Sequence, residues 1–401
     1  MQEKSILVYG ASQWHPALRF IGERLAEEFR ALRYNVVYCD CSLDGSFESI
    51  MQLLNSGSID FSVGLEALGI AWNREGHVIY PYQHMDIPHV SVMLDMPYNK
   101  LAKGHSARCK KHIVTAIDRM AVEYMKEICP EKSENVLFLP LAGASNDSEP
   151  DIFGIDKKYD VAYISGIWPY GGNHEFVKRK WHEPGYDRHI SLILDDVADY
   201  LECNTDSVFT AFQRVLEIRG LLGDGYLRNL LPYFWDMLFY TKVWRRIKGL
   251  ELLVKNDIKV DVFADGWEQV PFADKLRLHG GVSYEDSLRI YAQSKILFQD
   301  ASEFNYGAND RTFNAMMNGA VLVTEYSKYL DDNFVNGQDL FMYDWQNGEN
   351  QVKVIHELLA DDCRRLAVAV NAYGKASRFH TWRNRAQTIL EAVHLLYDRD
   401  R

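Results

Sequence analysis

A chain of 401 residues, 47% hydrophobic and 25% charged, is too long for one ordinary core and too apolar to remain disordered. A formal charge of −12 leaves no long basic footprint, which argues against a nucleic-acid partner. Six scattered cysteines with no CxxC pair argue for reduced thiols and against zinc.

The N-terminus runs directly into an apolar strand, Ser5–Gly10, without the apolar core of a signal peptide. No apolar run approaches membrane-spanning length, so the expected location is the cytoplasm. Further strands are predicted at Asn35–Asp40, Asp60–Leu65, His89–Leu94, His112–Ile117 and Asn135–Pro140. A polar stretch from Gly143 to Asp151 reads as an interdomain linker. A second set of strands is predicted at Tyr159–Gly166, Lys259–Gly266, Lys275–Val282, Lys295–Asp300, Ala320–Glu325 and Gln338–Trp345.

Strands alternating with helical stretches predict an α/β protein with two doubly wound, Rossmann-like domains facing across a cleft. Residues 1–145 form the first domain and residues 155–375 the second, with a helical insertion at 191–257. The aromatic residues of that insertion read as core packing. Residues 376–401 form a terminal helix expected to cross back to the first domain.

The segment from Lys295 to Trp345 carries the most chemistry. A strand ends at Asp300, a loop holds Gly307 and Asn309, and a short helix begins at about Asp310 and is closed by Asn318-Gly319. That order places backbone N–H groups, a positive helix end and Arg311 at the carboxyl end of a parallel strand, a suitable place for a diphosphate. Two further strand ends share the expected rim, at Gly266-Trp267 and at Val282-Ser283-Tyr284, so the diphosphate-ligand site is drawn from these and from Tyr306, Gly307, Asn309, Asp310, Arg311 and Asn314. A second anion candidate is the loop Gly166–His174, whose Gly171 and Gly172 permit close backbone approach and whose His174 precedes Lys178, Arg179 and Lys180. For acid/base work, Asp95, His15 and Glu66 all follow strands of the first domain. No GxGxxG, GxxxxGK[ST] or GxSxG motif occurs, so dinucleotide, P-loop and hydrolase readings fall away.

The Lys295–Trp345 segment resembles the donor-binding part of GT-B glycosyltransferases, especially the spore maturation protein B (CgeB-like) branch. Val260–Trp267, His279–Asp286, Ile290–Ile296, Phe379–Trp382 and Arg385 are similar to phrases of the same family, in the same order; Asp60–Glu66 and Pro88–Pro97 match it more loosely. The resemblance implies transfer of a sugar from a nucleoside-diphosphate sugar to a protein or cell-surface glycan acceptor. It also implies no cofactor beyond that donor and no metal, the leaving diphosphate being stabilised by helix ends and basic side chains. Many retaining members carry two acidic residues eight apart; here Tyr306 and Asn314 stand at those positions. That departure keeps two alternatives open: a sugar-nucleotide epimerase of similar fold, and a non-catalytic protein that binds nucleotide sugars.

Overall fold

Parallel strands buried on both faces read as continuous apolar runs, and most of the strand runs of this sequence fold in that way. The computed structural model describes all residues except 1–3, 99–107, 129, 147–150, 152, 168–177, 224, 302–303, 346–348 and 398–401. The chain divides into two compact units: Met1–Ala142 with His380–Arg401, and Gly143–Phe379.

The first unit contains β1 (Ser5–Gly10), β2 (Asn35–Asp40), β3 (Ile59–Leu65), β4 (Trp72–Arg74), β5 (His77–Ile79), β6 (His89–Val92), β7 (His112–Ala116) and β8 (Val136–Phe138). Six of these form one parallel sheet in the order β2-β1-β3-β6-β7-β8. The exceptions are β4 and β5, a small antiparallel hairpin that the sequence reading does not include. Its strands are mostly exposed and three residues long, too short to show a periodic signal.

Helices α1 (Pro16–Ala31), α2 (Ser46–Asn55) and α3 (Arg119–Ile128) belong to this unit. In α1, Phe20, Ile21, Leu25, Ala26 and Phe29 are buried at helical spacing, while Pro16 occupies the first turn, where no N–H is needed. The C-terminal helix, Trp382–Tyr397, packs on α1. Its buried Arg385 donates through Nε to the Pro140 carbonyl at 2.6 Å and through Nη2 to the Leu141 carbonyl at 2.9 Å. Within the sheet, His89 bonds the Ser62 hydroxyl at 2.8 Å, and burial drives its pKa down to about 3, so it is a neutral core residue.

The second unit contains β9 (Tyr159–Tyr163), β10 (Val260–Val262), β11 (Arg277–Leu278), β12 (Ser294–Gln299), β13 (Val321–Glu325) and β14 (Phe341–Tyr343), all parallel in the order β11-β10-β9-β12-β13-β14. Both sheets reverse direction of growth beside their first strand, the arrangement that opens a crevice at the carboxyl ends of the strands.

Between β9 and β10 lie α4 (Arg188–Cys203), α5 (Val208–Ile218), α6 (Tyr226–Leu230) and α7 (Phe234–Lys255). The 22-residue α7 buries residues on nearly every side, among them Phe234, Leu238, Arg245, Leu250 and Val254, so it is an internal helix rather than a surface one. After β11 come α8 (Tyr284–Ala292), α9 (Asp310–Met317), α10 (Lys328–Asn333), α11 (Glu349–Ala360) and α12 (Asp362–Phe379). Among the described residues no helix is long and apolar enough to cross a membrane.

Candidate active site

In the second unit, four loops meet at the carboxyl rim of the sheet. The loop after β9 contributes Ser165, whose carbonyl accepts the Trp267 indole N–H at 2.8 Å from the loop after β10. Gly166 lies so close to that second loop that a Cβ would stand 3.1 Å from the Asp265 carbonyl oxygen. Gly266 has φ +93°, a left-handed conformation that a side chain would strain. From the loop after β11, the Gly281 N–H donates to Asp265 at 2.8 Å. Trp267 itself is wholly buried in the core, with its ring edge-on to Tyr163, so its side chain positions these loops from beneath.

Helix α9 begins in the loop after β12. Asn309 is its N-cap, accepting the Thr312 N–H at 3.0 Å and satisfying one of the free donors of the first turn. Arg311 reaches back to the loop after β9, donating to the Ile164 carbonyl at 3.2 Å and to the Ser165 hydroxyl. Burial works against its charge, but the neighbouring Asp300 and Asp310 carboxylates outweigh that effect and hold its pKa above the ordinary value. Gly307 is held by the Ser327 hydroxyl, which donates to its carbonyl at 2.8 Å.

Tyr306 donates to Asp206, in the turn between α4 and α5, at 3.3 Å. Ser283 caps α8 by accepting the Asp286 N–H at 3.0 Å. The next residue, Tyr284, meets Asn314 of α9 at 3.0 Å. Burial and the nearby Asp310 push its phenol well above its usual pKa, so it stays protonated.

Asn314 is 1% exposed, and its amide is bonded within the chain on both sides. Its oxygen accepts the Ala144 N–H at 2.8 Å and its nitrogen donates to Tyr284. One turn on, Asn318 accepts from the Asn146 N–H at 2.7 Å and donates to the Ala144 carbonyl at 2.9 Å. These two amides fasten the segment 143–146 to α9. Gly171, Gly172 and His174 lie outside the described residues.

A second set of charges stands behind this rim, and the sequence reading does not single it out. Arg246 of α7 pairs with Asp300 at 3.3 Å and donates to the Gly166 carbonyl, while the Tyr163 hydroxyl donates to Asp300 at 2.8 Å. Arg245 pairs with Glu325 at 2.7 Å, and neither side chain has any exposed surface. Asp300 and Glu325 close the predicted strand runs Lys295–Asp300 and Ala320–Glu325, which is the signal that could have found them. The arginines lie in a helix buried on most faces, where no amphipathic pattern marks them.

In the first unit, the carboxyl rim brings Glu66 and Asp95 together. Glu66 follows β3 with φ +54°, unusual for any residue but glycine. One oxygen of its carboxylate accepts both the Leu94 N–H at 2.5 Å and the Asp95 N–H at 3.1 Å, from the loop after β6. Burial, and then the Asp95 charge, raise the Glu66 pKa to about 7 despite those two hydrogen bonds. Asp95 is exposed. His15 is the N-cap of α1, its Nδ1 accepting the Ala17 N–H at 3.2 Å. Its loop is tied to the end of β2, since Asp40 accepts the Ser12 N–H at 3.1 Å.

Among the described residues no group of three or more His, Cys, Asp or Glu is arranged to hold a metal ion.

Residues 245–391 match a family model described as glycosyl transferase-like. A comparison with the curated proteins found no match. Among solved structures, the Anabaena protein HepE in complex with UDP and glucose aligns with a TM-score of 0.54 at 11% identity, over 99% of this chain and 100% of that one. An alpha-glucosyltransferase in complex with UDP and a 13-mer DNA gives a TM-score of 0.55 at 10% identity, over 97% and 99% of the two chains. Sucrose-phosphate synthase from Thermosynechococcus elongatus gives 0.51 at 10% identity, over 99% and 100%. With its two parallel six-stranded sheets, this chain has the fold of the GT-B glycosyltransferases.

Proposed function

We propose that this protein is a glycosyltransferase of the CgeB-like branch, moving a sugar from a nucleoside-diphosphate sugar to a protein or glycan acceptor in the cytoplasm. The observation that carries this reading is the convergence of the loops after β9, β10, β11 and β12 on the start of α9, with Arg311 among them. The glycosyl transferase-like match over residues 245–391 and the UDP named with two of the similar structures support it.

In this reading the diphosphate is held by the N-terminal end of α9 and by Arg311. As the bond to the anomeric carbon breaks, negative charge grows on the leaving phosphate, and a helix end and a guanidinium already fixed in place stabilise it without reorganising. Tyr306, Gly307, Asn309, Asp310, Ser283, Tyr284 and Gly266 shape the donor site, and Trp267 and Asn314 position its loops. Glu66, next to Asp95, is the acid/base group in the first unit; His15 serves the loop beside it. An acid that titrates near neutrality can take a proton from an acceptor hydroxyl and release it again.

Replacing Arg311 by alanine tests the donor site. Loss of a charge-assisted contact is expected to weaken UDP binding by about ten- to a hundredfold, with lysine restoring only part because it lacks the planar fork. Titration calorimetry with UDP checks this, and unchanged affinity in a folded variant would remove Arg311 from the site. The charge on the diphosphate is met here by the chain alone, so turnover of the donor should persist in EDTA. Activity abolished by EDTA and restored by magnesium or manganese would show otherwise.

A further inference from the structure

The second unit holds a cavity of about 490 Å³ at the carboxyl ends of β13 and β14, which meets the donor loop where its lining residue Asp206 accepts the Tyr306 hydroxyl at 3.3 Å. Asp206, Asp331 and Asp344 line it, with Asn336, Tyr326 and Trp345 among the others. Among the described lining residues none is Lys, Arg or His. Such a wall repels a phosphate.

Its parts come from separate stretches of chain, and one buried ion pair holds them together. Arg245 donates to the carbonyls of Leu201 and Asn204, at 3.1 and 2.5 Å, fixing the turn that carries Asp206. The same guanidinium pairs with Glu325, the residue immediately before Tyr326. Glu325 in turn accepts the Trp345 indole N–H at 2.8 Å and the Ala301 N–H at 3.0 Å. Burying two charges is unfavourable unless they are paired and hydrogen-bonded, and although Arg245 Nε has no partner among the described residues, the bonds of its two terminal nitrogens and of Glu325 fix a cavity wall from three directions.

We propose that this cavity is a saccharide-binding site, taking a neutral sugar unit apart from the nucleotide. Sugar hydroxyls both donate and accept. The lining offers carboxylates as acceptors and the amides of Asn204, Asn336 and Asn350, which do both, beside aromatic side chains. An ammonium ligand would need acceptors alone. The volume lies within the range of small-ligand sites. The proposal goes beyond the transfer reaction and stands whether or not the protein is catalytic.

The experiment is saturation-transfer NMR, with tryptophan fluorescence, on the full chain. The probes are methyl glycosides and disaccharides of glucose, galactose, mannose and N-acetylglucosamine, with spermidine as the cationic rival. Each is titrated with and without UDP. At least one neutral sugar is expected to bind with a Kd in the millimolar range, unaffected by UDP or by Arg311→Ala. The double variant Asp331→Ala/Asp344→Ala should bind it at least about tenfold more weakly while melting normally. If that variant is unstable, Asn350→Ala, on the exposed first turn of α11, probes the same wall and should also weaken the sugar. Absence of sugar binding, preference for spermidine, or affinity unchanged in these variants overturns the proposal. So does displacement by UDP or loss of sugar binding in Arg311→Ala, because either would place the sugar at the nucleotide site.

Discussion

Replacing Glu66 with glutamine is expected to lower turnover of the nucleotide sugar by about 100- to 10,000-fold while leaving the fold intact. Glutamine keeps an oxygen that can accept the Leu94 and Asp95 N–H groups, so the backbone around it should hold. What it loses is the ability to take a proton. The wild-type rate should rise with pH through about 7, because Glu66 must be ionised to act as a base and burial delays that ionisation. Asp95→Asn removes the like charge beside it and should move this limb to lower pH.

Stability gives an independent readout with the opposite sign. Glu66 has its folded pKa raised from 4.5 to about 7, so the folded state binds its proton more tightly than the unfolded one. Below pH 4.5 the group is protonated in both states. Between 4.5 and 7 the unfolded chain ionises first, and stability falls as pH rises. Above 7 the buried charge is fully present, so Glu66→Gln should be as stable as the wild type, or more stable, at pH 8. Wild-type turnover in this variant would end the assignment. A variant that is less stable at pH 8 would show that the carboxylate serves the backbone instead. The positive φ of Glu66 fits a functional role, since strain of this kind persists where the surroundings enforce it and tends to gather at active sites.

Much of the architecture was legible because buried parallel strands write themselves as apolar runs. The predicted runs Ser5–Gly10 and Asn35–Asp40 coincide with β1 and β2, and the run Lys295–Asp300 differs from β12 by one residue at each end. Edge strands were less well bounded. The run Lys275–Val282 shrinks to the two residues of β11, because only one neighbour pairs with it and both residues are exposed. The start of α9 was legible, as the sequence begins a helix at about Asp310 and the helix starts there, but the cap that Asn309 makes to the Thr312 N–H was not read from it. Nor were the side-chain partners. Asn314 reads as an available amide until one sees that it holds the Ala144 N–H. Arg311 reads as a diphosphate ligand, but nothing in the sequence shows that it also meets Ser165 from a loop 146 positions away. Such pairings depend on how strands stack, and local sequence carries no trace of them.

The same limit hid Arg245, and replacing it should give the largest stability effect in the second unit. Arg245→Met keeps the length of an apolar stem but leaves Glu325 buried with its charge unpaired, which typically costs about 3–5 kcal/mol. Urea unfolding of the variant should show a lower midpoint with little change in slope. In many proteins, replacing both members of a buried ion pair by apolar residues restores stability. Here Arg245→Met/Glu325→Leu should recover only part of the loss. The carbonyls of Leu201 and Asn204, the Ala301 N–H and the Trp345 indole N–H would all lose their partners, and each buried orphan costs about 1–3 kcal/mol. Full recovery in the double variant would mean that water or rearrangement satisfies those groups, and that the ion pair is not what fixes the turn at Asp206 against Tyr326 and Trp345. Partial recovery, with the loss of saccharide binding that a loosened wall implies, would tie the energetics of this buried pair to the shape of the cavity above it.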